Sequence, residues 1–173
     1  MAFPDSFETA RLTAERLTAA HFDALRIMDT DPEFMALLGG VREADTTAAY
    51  LERNLDHWKD HGFGLWILHE KAEHRLAGRA CLRHLTIDDA DEVEVGYGFH
   101  PGFWGRGLAT EIAAACLQYA AATLRLPSVV AITQPANQRS RHVLSKVGLV
   151  YERDIDHEGL RHVLYRTPSK PTA

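Results

Sequence analysis

Residues 93–119 read VEVGYGFHPGFWGRGLATEIAAACLQY, and this stretch decides the fold. Its first part alternates: Val93, Val95, Tyr97 and Phe99 stand between Glu94, Gly96, Gly98 and His100 at the two-residue period of a pleated strand. Pro101 and Gly102 break it. From Leu108 the apolar spacing lengthens to three or four residues, through Ile112, Cys116 and Tyr119, with alanines between them, which predicts a helix with one apolar stripe. The unit is strand, glycine turn, helix. At its joint, Trp104-Gly105-Arg106-Gly107-Leu108-Ala109, two glycines let the backbone turn tightly. The first turn of the helix adds unpaired N–H donors at its positive end. Such a joint can cradle an anion, although GxG alone fits an ordinary steric turn equally well.

Two phosphate-binding motifs are excluded. A Walker loop needs a GK[S/T] ending, and a dinucleotide fingerprint needs a third glycine where this chain has Thr110. The segment instead resembles the acyl-CoA pyrophosphate loop of the GNAT superfamily of N-acetyltransferases. EVGYGF followed by P-x-x-W-G-R-G-L-A-T-E resembles its Rim branch, whose founding members acetylate the N-termini of ribosomal proteins. The opening ETARLTAERLTAAHFDAL and the later NQRSRHVLSKVGL resemble that family too, so the likeness covers nearly the whole chain. It implies a single α+β domain over residues 1–173, with a core at about 10–167. The expected sheet is central, twisted and mostly antiparallel, with about seven strands splayed between the fourth and fifth and about four flanking helices. It also implies acetyl-CoA as cosubstrate and direct transfer, in a ternary complex, to a primary amine: a protein N-terminus or a small molecule. Related enzymes are often homodimers.

Composition sets bounds around this reading. The chain has 173 residues, 46% hydrophobic and 25% charged, as expected of a globular protein with its own core. Nineteen basic against twenty-four acidic residues give a formal charge of −5, which argues against nucleic acid and favours a cationic ligand such as an amine. Cys81 and Cys116 sit far apart in apolar segments, the pattern of buried free thiols rather than of a disulfide or metal site. No apolar run approaches the ~20 residues of a membrane span, and the N-terminus lacks a basic-then-apolar leader, so a cytoplasmic protein without a membrane partner is expected.

In chain order, residues 1–9 read as a lead-in and 11–17 as a strand. A helix is expected over 21–28, and a short helical turn from Asp31-Pro32 ends at Gly39-Gly40. A longer helix capped by Asp45 or Thr46 runs to Gly62 with Ala49, Leu51, Leu55 and Trp58 inward. The resemblance makes these first helices one wall of the acceptor site. Residues 63–68, 76–87 and the strand of Glu94 form a meander, 129–132 a buried strand, and 149–155 with 160–167 a hairpin followed by a polar tail. His57 and His61 share a helical face, but no third ligand pattern accompanies them, so a solvated face and no metal are expected.

The expected chemistry is thioester aminolysis. Holding the thioester still is the largest contribution, up to about 7–11 kcal/mol. The loop from Trp104 through Gly105, Arg106, Gly107, Leu108 and Ala109 to Thr110 serves for the pyrophosphate, and the main chain of Phe99 and His100 for the pantetheine amides. Arg106 reads equally as a phosphate partner or a solvated arginine. Glu94 is the candidate base, acting directly or through water for about 10²–10⁴ in rate, with Glu92 of the same parity as competitor. The resemblance gives Asn137 a contact to the cofactor arm and Ser140 one to the sulfur. Where many family members carry a tyrosine acid, this chain has Leu144. A catalytically silent acyl-CoA-binding module remains the rival reading.

Overall fold

The computed structural model describes residues 5–168, so most of the polar tail and the first part of the lead-in lie outside the described residues. Eight strands form one sheet in the order β1-β2-β3-β4-β5-β6-β8-β7. They are β1 (Phe7–Glu8), β2 (Leu12–Arg16), β3 (Leu65–Glu70), β4 (Arg75–Ile87), β5 (Ala90–Phe99), β6 (Val130–Thr133), β7 (Val150–His157) and β8 (Leu160–Arg166). The helices are α1 (Phe22–Asp29), α2 (Pro32–Met35), α3 (Ala44–His61), α4 (Leu108–Ala122) and α5 (Gln138–Lys146). Every pairing is antiparallel except β5 with β6. This is the mixed, mostly antiparallel architecture expected, with one addition: the lead-in contributes the two-residue β1, while the expected turn after Asp31-Pro32 is α2.

The β3–β4–β5 meander is as expected, although Phe63 and Gly64 precede the first strand instead of opening it. The parallel contact between β5 and β6 is confined to one register pair, Glu94 with Val130, and the two strands part beyond it. A main chain that has lost its ladder neighbour must find other partners. That gap is therefore the place in the sheet that calls for an added group.

The helical wall departs from the sequence reading. The cap of α3 is Glu43, with no side-chain bond, so Asp45 and Thr46 lie inside the first turn. Its buried stripe is Thr47, Tyr50, Leu51, Asn54 and Trp58, and Ala49 faces out. Polar Thr47 and Asn54 can sit inside because each is bonded: Thr47 Oγ1 donates to Asp29 Oδ2 at 2.9 Å and Asn54 Nδ2 to Tyr50 O at 2.8 Å. Asp29 is fully buried and also pairs with Arg79 of β4 at 2.9 Å and Arg42 at 3.4 Å. One carboxylate thus ties α1 and α3 to the sheet. Removing either partner of so buried a pair costs about 3–5 kcal/mol.

Candidate active site

The glycine joint folds as its sequence requires. Gly105 (φ 72°) and Gly107 (φ 77°) both take the left-handed conformation, and Gly107 caps α4. The first helical bond runs from Glu111 N–H to Gly107 O at 3.1 Å. Among the described residues, no protein acceptor takes the N–H groups of Gly105, Arg106, Gly107, Leu108 or Ala109. Five adjacent donors at the start of a fifteen-residue helix are available to an anion.

Four contacts that sequence reasoning missed hold this joint. Glu111 accepts from Thr9 Oγ1 at 2.6 Å and from Arg11, through its main chain at 2.8 Å and its Nε at 2.7 Å. Arg11 Nη1 donates to Arg106 O at 2.7 Å, and its Nη2 would stand 3.5 Å from a Cβ at Gly107. A second arginine therefore sits beside the cradle. Arg106 itself is turned to Glu70, 3.1 Å away, and its guanidinium lies 5.4 Å from the Phe103 ring. It is neither free in solvent nor pointed at the loop amides.

Beside the gap, His100 N–H donates to Ala77 O at 2.9 Å, which fixes the ladder's parity. By alternation the main-chain groups of Val95, Tyr97 and Phe99 turn from β4 toward β6. The His100 amide is committed, and its carbonyl accepts from Phe103 N–H at 2.9 Å with a second lone pair open. Phe99 O already accepts from the Trp104 indole at 2.7 Å. Trp104 is partly exposed, and the Arg139 guanidinium of α5 lies 4.5 Å over its ring. These two side chains meet across the mouth of the gap.

Glu94 stands where β5 and β6 part. It is 5% exposed and bonded to Arg83 of β4, its register partner. Glu94 holds the Arg83 guanidinium well above its usual pKa. The competitor Glu92 pairs with Arg166 of β8 at 2.7 Å. Both acids are thus engaged, and on different strands' arginines.

Asn137 and Ser140 come together as the α5 cap, Asn137 Oδ1 accepting from Ser140 N–H at 3.1 Å. Ser140 Oγ lies 3.2 Å from the Tyr97 hydroxyl. Burial pushes the Tyr97 phenol up to about 12. Leu144 is buried, so no group reaches the gap from that position. A tyrosine hydroxyl nevertheless arrives in this corner from β5. The alternation that pointed to Glu94 carried the signal, because Tyr97 follows it on the opposite face.

The histidine expectation needs correcting. His57 is half-buried, with Nδ1 2.8 Å from Phe63 O and Nε2 accepting from His84 N–H at 2.9 Å. The solvated face expected for both residues holds only for His61.

Comparison with known proteins shows which family carries this arrangement of parted strands and helix-capping glycine loop. A family model described as the acetyltransferase (GNAT) domain matches residues 11–150, and the chain belongs to that family of acetyltransferases. YkkB of Bacillus subtilis, an uncharacterised protein, is 29% identical over 129 residues, 75% of each chain. The crystal structure of an acetyltransferase from Agrobacterium tumefaciens superposes with a TM-score of 0.83 at 25% identity, covering 98% of this chain and 96% of that one. RimL, a ribosomal L7/L12 alpha-N-protein acetyltransferase in complex with coenzyme A, superposes with a TM-score of 0.75 over 96% and 97% of the two chains. At 15% identity it shares the fold alone. Among the described residues, no helix is long and apolar enough to cross a membrane.

Proposed function

We infer that this chain moves the acetyl group of acetyl-CoA to a primary amine by direct transfer in a ternary complex. The observation that carries the reading is the set of five uncommitted amides, Gly105 to Ala109, at the start of α4 and beside the gap between β5 and β6. They take the diphosphate, with Arg11 adding charge. The pantetheine arm runs along the main chain of Tyr97 and Phe99, displacing the Trp104 indole from Phe99 O.

The acyl carbon then lies near the last β5–β6 pair, next to Glu94. Glu94 Oε1 is bonded to Arg83, and Oε2 receives no hydrogen bond among the described residues. In this reading Oε2 takes the proton of the attacking amine, directly or through water. The leaving thiolate collects a hydrogen bond from Ser140, which the Tyr97 hydroxyl orients. A phenol held near 12 stays protonated at neutral pH and keeps donating.

The Arg83–Glu94 ion pair is also the observation that favours a silent acyl-CoA-binding module, since a carboxylate already engaged by an arginine is less available to an incoming amine. A thiol-release assay with acetyl-CoA, against N-terminal peptides and small amines, separates the two. Release with any acceptor supports transfer. Coenzyme A binding with no release from any of them overturns it.

A further inference from the structure

The fold assembles a cluster that no part of the proposed reaction uses. His57 and His61 lie one turn apart on α3, and β4 brings His84 to them, so that one ligand atom from each falls within 4.8 Å of the others. The His61 and His84 rings are 4.2 Å apart and those of His57 and His61 4.5 Å. Phe63 forms the floor, its ring 5.3 Å from His57 and 5.7 Å from His84. Asp91 Oδ1 lies 3.2 Å from His84 Nδ1, which fixes that tautomer and leaves Nε2 as the acceptor. A carboxylate behind a histidine is the outer partner that metal-binding imidazoles generally have.

We propose that His57, His61 and His84 form a binding site for one divalent transition-metal ion of the zinc or nickel type. Imidazole suits these ions, and three nitrogens leave a fourth position for water. His61 and His84 offer uncommitted nitrogens. His57 completes the set by releasing the bond that its Nε2 takes from the His84 amide. The bound ion would pin the C-terminal end of α3 to β4 one residue from Arg83, the partner of Glu94.

The test is titration of the metal-free full-length chain with Zn2+ by calorimetry, with Co2+ absorption as a second probe of coordination. One ion per chain is expected, with intense tetrahedral Co2+ bands. His61→Ala, at an exposed position, and His84→Ala should each weaken Zn2+ binding by more than about tenfold, and Asp91→Asn by less. Zn2+ should raise the melting temperature of the native chain but not that of His61→Ala. Absence of saturable binding at submillimolar Zn2+ overturns the proposal. So does undiminished binding by His61→Ala, which would assign the metal to the remaining scattered histidines.

Discussion

Arg83 grips Glu94 across β4 and β5 at the one point where β5 still touches β6. If Glu94 is the base, Glu94→Gln keeps coenzyme A affinity and loses about a hundredfold in turnover. Steady-state rates beside calorimetric affinity check this, and an unchanged rate removes Glu94 from the chemistry. Arg83→Gln leaves a buried carboxylate without its partner, so the melting temperature falls as well.

Gly105 and Gly107 hold positive φ values, and a branched side chain there is strained by about 1–2 kcal/mol. Gly105→Val has open space around it, so its effect is conformational. The variant should fold, yet the stabilisation that coenzyme A gives in a thermal shift should shrink or vanish. A full shift would show that the loop amides do not hold the ligand.

Tyr97 acts through Ser140 in the proposed reaction. Tyr97→Phe and Ser140→Ala should each lower kcat by about tenfold with little change in KM, and the double variant should be no worse than either alone. Because the phenol is pushed up to about 12, the native pH–rate profile should show no alkaline loss from this group below pH 11 or so.

Glu111 braces the cradle through Thr9 and Arg11. Burial works to raise its pKa, and the hydrogen bonds from Thr9 and Arg11 overcome this, leaving it below the ordinary 4.5. A carboxyl depressed in the folded state contributes stability above its unfolded pKa. That contribution is lost as pH falls through the folded value, hence in the window below about 4.5. Glu111→Gln should lower stability by roughly 1–3 kcal/mol at neutral pH, and the difference from native should narrow in acid. Urea denaturation at pH 7 and pH 3.5 measures both.

Cys81 and Cys116 are buried, and desolvation pushes the Cys81 thiol up to about 11 and Cys116 further. Neither should react with a disulfide reagent at pH 8 in the folded chain, and both should after denaturation. The thiol-release assay then reads coenzyme A without a protein background.

Much of this was legible because it is local. Strand alternation through Glu94, the glycines at 105 and 107, and the apolar stripe from Leu108 each reveal themselves within a few residues. Arg11 is a hundred positions from Glu111, and nothing in its surroundings announces that contact. His84 likewise gives the α3 histidines a third member only once β4 is placed. Thr47 and Asn54 broke the apolar stripe of α3 because the bonds that let them be buried go to Asp29 and to the helix's own carbonyl. The His100 amide likewise meets Ala77 only once β4 is laid beside β5.

A sheet whose halves share a single rung behaves as two leaves on a spine. A second apolar cluster bridges the two leaves, where Val130, Ile155 and Leu164 meet Ile87 of β4. An extended molecule laid into the opening supplies the missing rungs, so its arrival stiffens the whole plate. Amides in β6 and β8, far from any contact with that molecule, should then exchange their hydrogens more slowly in its presence.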